Sequence, residues 1–195
     1  MASREITAIR TRDDLRLAIE LDGKAWIVLD ALTAARLGLD EGREVHADVA
    51  AEAEAEARRE RALLRGAKLV GRRSHSRGEL EQRLARRDGD DAARDAVARL
   101  SELGAVDDER HAAELVEQRL AKGWGPARIE HDLALAGIDE GLIRTALAGV
   151  DDAQLDAAGR TALGGRSGVE GWQRLGARGF DESVAERLLG LPDVE

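Results

Sequence analysis

The chain has 195 residues, of which 43% are hydrophobic and only 2% aromatic, and it contains no cysteine, which excludes a disulfide framework and a thiolate metal site. The net charge of −9 argues against a uniformly basic nucleic-acid binder. No apolar run approaches the about 20 residues that span a bilayer and no signal-peptide pattern is present, so a cytoplasmic protein is expected. The apolar residues are mostly Ala, Leu and Val, small side chains that close-pack helices but build thin cores.

Residues 1–48 read as a small β-rich α+β module. Ile6, Ala8 and the alternation over Leu15 to Leu21 favour strands, and Asp22-Gly23 is a hairpin turn signal. The returning strand runs from Lys24 to Leu29, with Ala25, Ile27 and Leu29 on one side and Trp26 and Val28 on the other. Ala31 to Leu37 follows as a short helix stopped by Gly38, and the stretch to Val45 ends in one more short strand. Trp26 is expected to pack in this module, with a nucleic-acid stacking role as the alternative. Residues 49–71 form a linking helix, acidic first and arginine-rich later, an order that suits the helix dipole.

From residue 57 to 190 the chain reads as tandem three-helix repeats, 57–104, 105–149 and 150–190, in an elongated, curved array. In the second, Asp107 or Asp108 caps a helix carrying Ala112, Leu115, Val116 and Leu120, and Gly123 stops it. Gly125-Pro126 starts a second helix with Ile129, Leu133 and Ala136, and Asp139 caps a third with Leu142, Ile143 and Leu147. Gly137-Ile138-Asp139-Glu140 returns as Gly179-Phe180-Asp181-Glu182, and Trp172 and Phe180 are assigned to the third repeat's core. Upstream, Ser76-Arg77-Gly78-Glu79 reads as a capping box before Leu80 and Leu84. Chance recurrence of helix punctuation is the alternative to true repeats. The Gly164-Gly165 run is an inter-helix turn, because neither a preceding strand nor a GxxxxGK[ST] pattern supports a phosphate loop. Leu191-Pro192 is the expected end of the fold.

Charge is segregated along the chain. Residues 1–57 carry a net −6, residues 58–87 a net +8 and residues 88–195 a net −11. A block this basic inside an acidic protein is a footprint for an anionic partner, with a solvated helical face as the alternative. Arg83, Arg86 and Arg87 point outward on a helix whose Leu80 and Leu84 face inward, and Arg72, Arg73 and Arg77 lie at the preceding turn. These six, together with Arg119, Lys122 and Arg128, are the candidate partner- or DNA-binding residues. Asn is absent and Gln scarce, so base reading in a groove is discounted in favour of phosphates or acidic side chains. His46, His75, His111 and His131 have no metal-ligand spacing, and His111 is expected to be packed. There is no GxSxG elbow, and the Asp107-Asp108 and Asp151-Asp152 pairs sit where helix caps are needed. Neither an enzyme activity nor a cofactor or metal site is expected.

The run Arg73-Ser74-His75-Ser76-Arg77-Gly78-Glu79-Leu80, with Leu84 one turn on, resembles the Arg-Ser-x-x-Glu-Leu signature of the RecX family. Gly104-Ala105-Val106-Asp107-Asp108-Glu109-Arg110-His111-Ala112 is similar to that family's Gly-Leu-Ile-Asp-Asp-x-Arg-Phe-Ala, and Arg119, Gly123, Gly125-Pro126, Ile129, Leu133, Gly137-Ile138 and Leu147 continue the likeness. Two positions depart from it. His111 replaces an aromatic and Asp88-Gly89 replaces a Gly-aromatic pair, which suggests looser packing of the first repeat. The resemblance implies a regulator of the RecA recombinase that binds the groove of the RecA–single-stranded-DNA filament, most often as an inhibitor of its ATPase, strand exchange and co-protease activities in DNA repair, recombination and the SOS response. It also implies a monomer whose partners are RecA and single-stranded DNA, the latter direct or through the filament. A stand-alone nucleic-acid-binding protein using the Arg72–Arg87 stretch and a helical adaptor for an unrelated protein are the alternatives.

Overall fold

A computed structural model describes residues 4–12 and 15–190. The described chain is mainly helical, with a small antiparallel sheet at its N-terminal end, and it divides into two compact units. One unit comprises the chain through Arg72 together with Leu80–Ala105, and the other comprises Arg73–Glu79 and the chain from Val106 on.

The first unit opens with strands β1 (Arg4–Thr11), β2 (Arg16–Leu21) and β3 (Lys24–Asp30), then helix α1 (Ala31–Arg36) and the two-residue strand β4 (Glu44–Val45), in the sheet order β3-β2-β1-β4. The hairpin turn is where Asp22-Gly23 placed it, because both residues take the positive φ, +50° and +74°, that such a turn demands. One strand face departs from simple alternation. The register shifts between Ile19 and Glu20, so that Ile19 faces Ile27 while Glu20 faces Ala25. Ile27 and Leu29 are buried, but Ala25, past the irregularity, is exposed and does not share their face. Trp26 is half-buried, packed against this core, and its Nε1 donates to Glu54 at 2.9 Å.

Helix α2 (Ala47–Val70) is one continuous element spanning the expected linking helix. Its buried positions are all small: Ala50, Ala53 and Ala57 join the core under the sheet, Ala62 follows, and at Gly66 Leu100 of α4 (Asp90–Glu102) fills the space a Cβ would need. Helix α3 (Arg77–Asp88) buries Leu80 and Leu84 completely. Each contributes about 2 kcal/mol of apolar burial. Asp88, at its last position, is buried too, with Arg61 Nε at 3.7 Å and Arg65 Nη1 at 3.6 Å. Gly89 turns the chain at φ +85° and α4 begins at once.

The second unit adds α5 (Asp108–Ala121), α6 (Pro126–Leu135), α7 (Glu140–Ala148), α8 (Asp152–Leu163), α9 (Gly168–Ala177) and α10 (Glu182–Leu189). Aspartates cap four of them. Asp107, Asp139, Asp151 and Asp181 accept the backbone N–H groups of Arg110, Gly141, Gln154 and Val184, and at Asp151 the capping box closes reciprocally through Gln154. The apolar stripes converge on Val116, Ile129, Leu133, Ile143, Leu175, Phe180 and Val184. Phe180 is buried and Trp172 packs half-buried against the same core. The expected end at Leu191-Pro192 lies outside the described residues. Among the described residues no helix is long and apolar enough to cross a membrane.

Candidate partner-binding site

The residues from Arg73 to Glu79 build a polar hub inside the second unit. Ser76, with no exposed surface, accepts from the Glu79 N–H at 3.0 Å and donates its own hydroxyl proton to the Ala136 carbonyl, tying the start of α3 to the end of α6. Thus the forward half of the expected capping box is made, and the same hydroxyl also reaches a second helix. Gly78 lies against the same turn, where a Cβ would stand 3.1 Å from the Ala136 oxygen. The Arg77 N–H donates to Asp108 at 2.8 Å. Arg73 is ion-paired with Glu79 and donates to the Ser74 carbonyl at 3.0 Å, and His75 Nδ1 lies 3.1 Å from Glu79 Oε2. Burial alone would raise the Glu79 carboxyl, but the Arg73 hydrogen bond and the adjacent His75 outweigh it and hold it below the usual carboxylate value. Arg73 therefore serves the fold before any partner.

His111, expected to be packed, is buried with its Nδ1 2.6 Å from Ser74 Oγ. Burial lowers its basicity, against the opposing pull of Glu79, Glu114 and Asp108. Above the ordinary histidine value of about 6.5 the imidazole is neutral in folded and unfolded chains alike. As pH falls below that value the unfolded chain takes up a proton that the folded chain resists, so stability is lost on acidification. The native protein is expected to lose more melting temperature between pH 7.5 and 5.5 than His111→Phe. Equal losses would refute this assignment.

Helix α3 carries Arg83, Arg86 and Arg87 at i, i+3 and i+4, all exposed along one side that flanks the buried Leu80 and Leu84. Arg86 and Arg87 make no ion pair among the described residues, and neither does Arg72, exposed just beyond α2. The Arg77 side chain is also exposed. Exposed and without an ion pair among the described residues, Arg72, Arg86 and Arg87 are cations available to an anionic surface.

Arg119 and Arg128 meet elsewhere in the second unit, at Asp132, with Trp124 against Arg128 and the exposed Lys122 two residues before the indole. Arg119 Nε lies 2.6 Å and Arg128 Nε 3.2 Å from the Asp132 carboxylate. The guanidinium carbons of Arg128 and Arg178 lie 5.4 and 4.1 Å from the indole centroid, within cation–π range. Arg178 Nη1 also donates to the Lys122 carbonyl at 3.3 Å. The cluster is fixed by backbone. The N–H groups of Gly125 and Ala127, orphaned at the N-terminus of α6, donate to the carbonyls of Arg178 and Gly179 at 2.8 and 3.1 Å. Trp124 and Arg178 were not identified as site residues from sequence. Their contact joins positions more than fifty residues apart, and the only local hint was the Gly-Trp-Gly-Pro turn.

Among the described residues no group of three or more His, Cys, Asp or Glu is arranged to hold a metal ion. A groove of about 300 Å³ lies between α5, α7 and the start of α8, with Val116, Leu120 and Leu142 in its floor and Glu109 and Glu117 on its rim.

Residues 107–147 match the family model described as RecX, second three-helix domain. A curated regulatory protein RecX from Pseudomonas fluorescens strain SBW25 is 31% identical over 137 residues, covering 65% of this chain and 88% of that protein. One from Stenotrophomonas maltophilia strain K279a is 44% identical over 80 residues, 40% of this chain and 49% of its own length, so the chain spans about half of that relative. Among solved structures, a crystal structure of regulatory protein RecX superposes with a TM-score of 0.71 at 20% identity, covering 95% of this chain and 98% of the other. At that identity the likeness is one of fold.

Proposed function

The chain belongs to the RecX family, and from that premise we propose that it regulates the RecA recombinase by binding the RecA–single-stranded-DNA filament. It lowers the filament's ATPase, strand-exchange and co-protease activities. Family membership carries the choice of partner. The exposed arginine row of α3 supports the mode of binding, since it offers three cations on one helical face in a chain whose net charge is −9. Residues 57–104, 105–149 and 150–190 act as three three-helix repeats. The first supplies the electrostatic anchor through Arg83, Arg86 and Arg87, with Arg72 and Arg77 beside them in sequence, and the second and third grip adjacent recombinase subunits. The protein works as a monomer in the cytoplasm, by contact alone and without catalysis.

Titrating the protein into RecA from the same organism, hydrolysing ATP on single-stranded DNA, tests the reading. The rate is expected to fall at well below one regulator per recombinase, at a salt concentration where binding to bare DNA is negligible. An unchanged rate at stoichiometric excess contradicts it.

A further inference from the structure

The Trp124 cluster is unlike the rest of its surroundings. Residues 88–195 carry a net −11, yet here Arg128 and Arg178 lie against the indole, Arg119 and Arg128 share the Asp132 carboxylate, and Lys122 stands two residues before Trp124. Lys122 and Arg178 have no carboxylate partner among the described residues, and Asp181, three residues beyond Arg178, is turned to the N–H of Val184 in its own helix. The indole is half-buried against the unit's core with Arg178 close over its ring, and the α6 seam holds it, so a ligand meets an indole–guanidinium layer already in place.

We propose that Trp124 with Arg128 and Arg178 seats a base of single-stranded DNA, the base stacking on the indole–guanidinium layer and Lys122, Arg128 and Arg178 taking the flanking phosphates. Cations alone would serve an acidic peptide equally well, but an indole layered with the planar Arg178 guanidinium adds little to carboxylate binding and adds a stacking platform for a base. Duplex DNA is disfavoured because its bases are already stacked on one another and leave the ring nothing to cover. This deepens the filament reading, on which it rests for the choice of nucleic acid, and it assigns a DNA contact apart from the α3 arginines.

The test omits recombinase, so it fails separately from the filament reading. In a Trp26→Phe, Trp172→Phe background Trp124 is the only tryptophan of the three. Titration with an oligothymidylate at low salt should quench its fluorescence to saturation. In the otherwise native protein, Trp124→Leu should weaken oligonucleotide binding about tenfold or more, the loss of one stacked base, while Trp124→Phe retains most of it. Arg178→Gln should also weaken it. An abasic oligonucleotide of the same length that binds and quenches as well as oligothymidylate would overturn the stacking, and so would displacement of the DNA by poly-aspartate at equal concentration of charge. If Trp124→Leu proves unfolded by its melting curve, the sole-tryptophan titration still decides: no quenching overturns the proposal.

Discussion

Replacing Gly125 with alanine is expected to lower the melting temperature by about 10 °C, through a loss of roughly 3–5 kcal/mol. The backbone of Gly125 takes an ordinary extended conformation, with φ −88°, so strain in the dihedral is not the cause. Space is. A Cβ there would stand 2.4 Å from the carbonyl carbon and oxygen of Gly179 and 2.5 Å from the nitrogen of Phe180, all of them backbone atoms that no rotamer change can move. Gly179 meets the seam from the other side, at φ +83°, where its own Cβ would stand 2.6 Å from the nitrogen of Arg128. Parting the two turns breaks the Gly125–Arg178 and Ala127–Gly179 hydrogen bonds and leaves the donor of the buried Gly125 unmatched, besides loosening the buried Phe180. Gly176 is the control. It lies in the last turn of α9, and a Cβ there would meet nothing within 4 Å, so alanine should leave stability unchanged or raise it by up to about 1 kcal/mol. Equal melting temperatures for the two variants would show that the seam does not hold the unit together.

Much of the fold was legible because its signals are local. Asp22-Gly23 announces a turn that requires positive φ twice, and Asp107, Asp139, Asp151 and Asp181 stand one residue before the helices they cap. The apolar stripe of α5 returns as the buried Ala112, Val116 and Leu120. The β3 irregularity that exposes Ala25 leaves no mark in the alternation of hydrophobic residues, since it is set by pairing with β2. Candidate cations were harder to sort. An arginine looks alike in sequence whether it serves a partner or the fold, and only the tertiary structure shows Arg73 paired with Glu79 and Arg119 with Asp132, while Arg86 and Arg87 remain open. The Arg73–Leu80 run, which carries the family likeness and two candidate binding arginines, is in large part a structural hub, with Ser76 as its centre.

Charge reversal on α3 carries the second large expected effect. Arg83, Arg86 and Arg87 are exposed along one side of the helix, and their replacement by glutamate changes the local charge by six while the buried Leu80 and Leu84 are kept. Long-range attraction to an anionic filament becomes repulsion, which slows association and weakens binding by about tenfold or more at low salt, with a smaller effect as salt rises. Arg160 and Arg166 are also exposed, on α8 and in the turn after it, and supply a comparison of the same chemistry in another repeat. Binding of the native protein, of Arg83→Glu/Arg86→Glu/Arg87→Glu and of Arg160→Glu/Arg166→Glu to RecA filaments on single-stranded DNA, with melting curves to confirm that each is folded, is the most direct measurement. Tight binding by the native protein, a loss of about tenfold or more in the α3 variant and a much smaller loss in the other are the predicted result. Equal losses in the two variants, or no binding by the native protein, would contradict the assignment of the anchor and of the partner respectively.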